Sequence, residues 1–131
     1  MATEILVNDG GAPARILPYT AAEAISAGDA VTMTATAGTV QQADSDDVGL
    51  GLQVLGFALT DIAADALGSI ITGKRVILMV NCADLNCGAA LMMGTTAGQL
   101  VAATNATTVP TCVGVTIENN SAAGLTRVQT C

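Results

Sequence analysis

Histidine and tryptophan are both absent from this 131-residue chain. Without histidine, Ser-His and Cys-His nucleophile systems are excluded. Tyr19 and Phe57 are the only aromatic residues. The core must therefore be aliphatic, and each such side chain contributes only about 1.5–3 kcal/mol on burial. A core this thin leads us to expect support from oligomerisation or from a partner surface. Positive charge is also scarce. Arg15, Lys74, Arg75 and Arg127 face eleven acids, for a net charge of −7. That balance argues against nucleic acid, which needs clustered Lys and Arg to displace counterions. It argues equally against an anionic membrane, and it suits the surface of a soluble particle. The opening "MATEILVNDGG" lacks the basic start and apolar stretch of an export signal. No uninterrupted apolar run approaches the roughly 20 residues of a membrane helix. The expectation is a protein made in a cytoplasm.

Little else in the chain suggests chemistry. Cys82, Cys87, Cys112 and Cys131 are read mainly as small buried hydrophobes, since a reducing compartment disfavours disulfides. Cys82 and Cys87 lack a second matching pair, and no histidine is present to complete a zinc site. Asp44, Asp46 and Asp47 lack the spacing and distal Glu of an EF-hand loop. "GLGLQVLG" lacks the Lys and Ser/Thr of a phosphate-binding loop. Lys74 and Arg75 read as a charged hairpin tip. No catalytic residue, cofactor site or metal site is assigned, and the chain is read as not an enzyme.

What the chain does have is a repeat. "ISAGDAVTMTATAGTVQQA" spans residues 25–43, and "LNCGAALMMGTTAGQLVAA" spans residues 85–103. Gly28 falls on Gly88, Ala30 on Ala90, Met33 on Met93, Gly38 on Gly98 and Ala43 on Ala103. Such turn glycines predict backbone with positive φ. Further on, the second copy is slightly shorter, so Gly56 falls on Gly114.

The local pattern is that of strands. "AVTMTAT" alternates apolar and threonine positions with the period of a half-buried strand. "VQQA" reads as its return. "LQVLGFALT" is a strand with a bulge or close backbone approach at Gly56. "DIAADALGS" predicts one helical turn between Asp61 and Gly68. "IITGKRVILMV" gives two strand pieces, and "CGAALMM", "QLVAA", "TCVGVTIE" and "LTRVQTC" repeat the strand pattern. One unit cannot bury its apolar face alone, so two copies facing each other are expected to close one barrel or sandwich. The predicted class is all-β: a small β-barrel or sandwich of two repeated strand-turn-strand units. Residues 1–20 are read as an N-terminal arm or first hairpin, because Pro13 and Pro18 disfavour a central strand. Residues 21–131 are read as a single β domain, repeated over about 25–80 and 85–129.

"AISAGDAVTM", "VLGFALTDIAADALGSIITGKRVILMV", "NCGAALMMGTTAGQLVAA" and "CVGVTIENNSAAG" together resemble the small decoration, or cement, proteins of tailed-bacteriophage heads. The resemblance covers about residues 24–125. It implies a compact β fold that binds the outer surface of an assembled capsid and stabilises it. The implied partners are the major capsid protein and further copies of the chain, with a homotrimer favoured. The implied location is the virion, after synthesis in the host cytoplasm. An arm reaching onto the capsid would carry Ile5, Leu6, Val7, Arg15, Ile16, Leu17 and Tyr19 as contacts. The resemblance implies no cofactor, no nucleic acid and no membrane. "AISAGDAV" also resembles the antifreeze-like module at the ends of some sugar-acid enzymes, which would imply a ligand pocket. A tail-tube subunit is a further alternative, and it would polymerise on its own.

Overall fold

The computed structural model describes residues 15–44, 54–73, 76–84, 86–102, 113–119 and 122–130. These residues form ten strands and no helix. The first five are β1 (Arg15–Ala21), β2 (Ala30–Met33), β3 (Thr39–Gln42), β4 (Gly56–Ala58) and β5 (Leu67–Thr72). They close a barrel in the order β1-β3-β2-β4-β5. The second five are β6 (Ile77–Cys82), β7 (Leu91–Met93), β8 (Leu100–Ala102), β9 (Gly114–Thr116) and β10 (Gly124–Thr130). They form a sheet in the order β7-β8-β6-β10-β9. A bridge between Ala90 and Val115 links its two ends.

The two sheets are copies of one unit. The parallel pair Ala21↔Val40 in β1/β3 returns as Cys82↔Leu100 in β6/β8. The antiparallel pair Thr20↔Leu67 in β1/β5 returns as Asn81↔Leu125 in β6/β10. The unit therefore begins at β1 and at β6, one strand before the phrases that betray it in the sequence. Residues 15–20 lie in the first strand of the barrel. Residues 1–14, with Ile5, Leu6 and Val7, lie outside the described residues, as do Lys74 and Arg75.

The turn glycines behave as the repeat requires. Gly28 and Gly88 have φ of 87° and 84°, and Gly38 and Gly98 have 79° and 80°. An L side chain resists this region, which glycine enters freely. Gly56 also matches its reading, since a Cβ there would run into the Ile71 carbonyl of the neighbouring strand.

The all-β barrel or sandwich of two repeated units is what forms: each unit pairs its own five strands, the first as a closed barrel, and a core cluster joins the two. Two expectations change. Strand β2 is not half-buried. Val31 packs into the cluster of Ala21, Val40, Ala58 and Ile70 in the first unit. Its neighbour Ala30 packs with Phe57 and Ile71 into a cluster that includes Val80, Leu91 and Leu100 of the second unit. The second unit thus covers Ala30 on the face that alternation assigned to solvent, and Thr32 on that face is buried as well. The segment at 61–68 is not helical. Ile62 bridges Ile25, which ties the loop to the barrel in an extended form. Asp61 Oδ1 accepts the Ala27 N–H at 2.8 Å, so its carboxylate caps a turn 34 residues away instead of a helix.

Candidate interaction surface

The junction between the two units joins the shared apolar cluster to backbone hydrogen bonds and one carboxylate. Gly28 O accepts the Asn81 N–H at 2.8 Å. Ala30 N donates to Gly98 O at 3.0 Å, and Gly98 N donates to Ala43 O at 2.8 Å. Asp29 sits at the centre, 3% exposed. Its Oδ2 accepts the Ser26 N–H at 3.0 Å and Gln42 Nε2–H at 2.7 Å. Its Oδ1 accepts Asn81 Nδ2–H from the second unit at 2.9 Å. A buried carboxylate is tolerated when hydrogen bonds replace its water, and three do so here. Gly98 presses onto this group, since a Cβ there would lie 2.8 Å from Asp29 Cγ. Thr130 closes the crossing between units, accepting the Val76 N–H and donating to Gly73 O, both at 2.9 Å.

This junction gives the chain a stiff frame on which exposed apolar side chains stand. The large hydrophobic residues left to solvent among the described residues are Ile16, Leu67 and Ile117. Ile16 is 51% exposed on β1, opposite Ile71 of β5. Leu67 is 71% exposed at the start of β5, opposite Thr20. Both belong to one antiparallel pair of strands.

Of the sequence-derived contact residues, β1 carries Arg15, Ile16, Leu17 and Tyr19, but not on one face. Successive side chains on a strand alternate. Ile16 therefore shares its face with Pro18 and Thr20, while Arg15, Leu17 and Tyr19 share the other. Tyr19 packs against the first-unit core cluster. Leu17 is half-buried, and Arg15 and Ile16 are exposed. The sequence reading did not single out Leu67, because "DIAADALGS" reads locally as a helical turn and the place of the leucine opposite Thr20 is set by strand pairing.

The cysteines divide. Cys82 is buried and free, as a small core hydrophobe. Cys87 is free and exposed, contrary to the reading of the cysteines as buried. Cys112 and Cys131 lie outside the described residues. Burial pushes the Cys82 thiol up from 9.0 to about 11, against a smaller opposing pull from the Thr126 hydroxyl. A thiol with a raised pKa favours the folded state while it stays protonated. Its contribution is complete below pH 9.0 and is lost as pH rises through about 11. Unfolding free energy measured across that window should fall more steeply in the native protein than in Cys82→Ala. Thiol labelling near neutral pH should modify Cys87 and spare Cys82 until the chain unfolds.

Among the described residues, no cluster of three His, Cys, Asp or Glu side chains is placed to hold a metal ion. No buried side-chain polar atom among them lacks a hydrogen-bond partner. The described surface offers exposed apolar side chains at Ile16, Leu67 and Ile117.

No protein-family model matches the sequence, and no characterised protein is similar to it in sequence. Among solved structures, the chain is similar to the N base of the head fibre protein gp8.5 of bacteriophage phi29. The two share 12% sequence identity with a TM-score of 0.64, over 91% of this chain and 95% of that one. The likeness is one of fold, and it extends over nearly the full length of both chains.

Proposed function

We propose that this protein is a structural component of a tailed-bacteriophage virion. In this reading it binds the outer surface of the assembled capsid as a decoration protein. The observation that carries the proposal is the fold likeness to the base of a phage head fibre over 91% of the chain. The acidic composition and the exposed Ile16 and Leu67 support it. The partner is the major capsid protein. Arg15 and Ile16 on β1 are the described residues best placed to contact it, and Ile5, Leu6 and Val7 belong to the same proposed segment. The protein works in many copies, as a homo-oligomer with a trimer expected. Weak contacts then add up, because a shell presents a dense array of sites and an oligomer engages several at once.

The test is cryo-electron microscopy of the purified protein mixed with expanded, undecorated heads of its source phage. Ordered density is expected on the outer surface at symmetry-related positions. Ile16→Asp should lower its occupancy by about tenfold or more, since an unpaired charge is then placed in the contact. A bare shell beside free native protein would sink the proposal.

A further inference from the structure

The junction inside the chain is heterologous. The first unit contributes Gly28, Asp29 and Ala30, called here the glycine face. The second contributes Asn81, Gly98 and Leu125, called here the leucine face. Because both units have the same fold, each unit carries both faces. One copy of each face is used within the chain, and one of each is left over.

The left-over faces have kept their shape. On the second unit the glycine face is Gly88, Ala89 and Ala90. Gly88 has φ of 84°, against 87° at Gly28. Gly28, Asp29 and Ala30 are buried, while Gly88 and Ala90 are exposed. The row beside them follows suit: Phe57 and Ile71 are buried, whereas their counterparts Val115 and Gln129 are half-buried and exposed. On the first unit the leucine face is Thr20, Gly38 and Leu67. Gly38 has φ of 79°, against 80° at Gly98. Leu67 corresponds to Leu125 through the matched pairs Thr20↔Leu67 and Asn81↔Leu125.

The side chains show what these faces do when they meet. A Cβ on Gly28 would overlap the Leu125 side chain, so the leucine fills the space above that glycine. Nothing lies within 4 Å of a Cβ built on Gly88. Leu67, the counterpart of the inserted leucine, is 71% exposed. The chain therefore displays a leucine without its glycine at one end and a glycine without its leucine at the other.

We infer that copies of this chain bind one another head to tail by repeating their internal junction: the leucine face of one copy's first unit takes the glycine face of another copy's second unit. Leu67 packs over Gly88 of the second copy. One backbone bond within the first unit gives way to two between copies. Within the chain, the cleft between β6 and β8 is held open by the 28–30 segment, through Asn81 N to Gly28 O and Ala30 N to Gly98 O. In the first unit the same cleft is closed on itself, Thr20 N donating to Gly38 O at 2.9 Å. On docking, Thr20 N turns to Gly88 O of the second copy, and Gly38 O accepts Ala90 N–H of that copy. No lone charge is buried by the exchange. The positions matching the Asp29–Asn81 pair are Ala89 and Thr20, so carboxylate and amide are absent together. A heterologous contact of this kind builds a ring when its rotation closes and a filament when it does not. The inference rests on the repeat geometry and is independent of capsid binding.

The test uses the full chain in two forms. Sedimentation velocity should show the native protein as an oligomer, with the association weakened about 100-fold or more in Leu67→Asp. At a dilution where the native protein is itself dissociated, the variant should match it in melting temperature, because Leu67 lies on the surface of the single chain. Leu67→Cys provides the second readout, since native Cys87 adjoins Gly88. A short bis-maleimide should join the introduced thiol at position 67 of one chain to Cys87 of another, giving an intermolecular peptide identified by mass spectrometry. A native protein that stays monomeric up to about 1 mM overturns the inference. An oligomer indifferent to Leu67→Asp, or one without the 67–87 crosslink, does so as well.

Discussion

Asp29→Ala is expected to lower the unfolding free energy by about 2–4 kcal/mol. The melting temperature should fall by roughly 10 °C, given the few degrees per kcal/mol usual for a domain of this size. The reason is the number of groups that converge on one carboxylate. Asp29 accepts hydrogen bonds from Ser26, Gln42 and Asn81, at 3.0, 2.7 and 2.9 Å. Bonds to a charged acceptor contribute about 1.5–3 kcal/mol each. The full sum is not expected, because Gln42 and Asn81 are half-buried and can turn toward water. Relief from burying a carboxylate offsets another part. Asp29→Asn should rescue only part of the loss. Its oxygen can keep the Ser26 N–H and Gln42, but its NH2 then faces the Asn81 amide, which has to flip to accept it, and the charge on the acceptor is gone. Urea unfolding of Asp29→Ala, Asp29→Asn and the exposed Asp84→Ala decides the matter. The last should stay within about 0.5 kcal/mol of the native protein. Equal stability for all three would show that Asp29 is not what holds the units together. A double-mutant cycle with Asn81→Ala isolates the one bond that crosses the junction.

Asp29 also shows how the sequence carried more than local patterns reveal. It is the only charged residue in the 25–43 phrase, and its counterpart in the 85–103 phrase is Ala89. Where a repeat breaks at one charged position, the two copies do not share an environment there. The all-β class was legible because turn glycines and alternating apolar positions act locally. Gly28, Gly38, Gly88 and Gly98 had to be glycines wherever the units finally sat. What alternation could not show was which faces would be covered by the other unit. Thr32 reads as solvent-facing and is buried, as is Ala30 on the same face of β2, which packs into the cluster shared with the second unit. Asp61 reads as a helix cap and instead caps the turn at Ala27, a contact set by tertiary folding. Each difference follows from pairing between distant segments, and no local window contains that information. The likeness to decoration proteins likewise pointed to residues of the 1–20 segment. The alternation of β1 then separates Ile16 from Leu17 and Tyr19, which a list of apolar residues cannot do.

The second large effect comes from a pair of glycines that are equivalent in the repeat and unequal in the molecule. Gly38→Ala and Gly98→Ala should both cost about 1–2 kcal/mol for placing an L residue at positive φ. Their φ angles, 79° and 80°, make that part of the cost the same. At Gly38 nothing else is added, since no atom lies within 4 Å of the new methyl group. At Gly98 the methyl group would come within 2.8 Å of Asp29 Cγ and 3.0 Å of Oδ2. These atoms cannot retreat freely, because three donors and the adjoining strand hold the carboxylate in place. Overpacking of a well-filled site adds about 1–3 kcal/mol. Gly98→Ala should therefore be the costlier change by at least about 1 kcal/mol, the lower end of that overpacking range. Combined with Asp29→Ala, it should lose part of that excess, because Cγ and Oδ2 are gone while the Cβ of residue 29 stays 3.0 Å from the new methyl group. Equal costs for the two alanines would mean that the Gly98 turn does not press on Asp29 in solution. Unequal costs that narrow in the double variant would trace the difference to this one contact, and with it the way two copies of one unit became head and tail of a single chain.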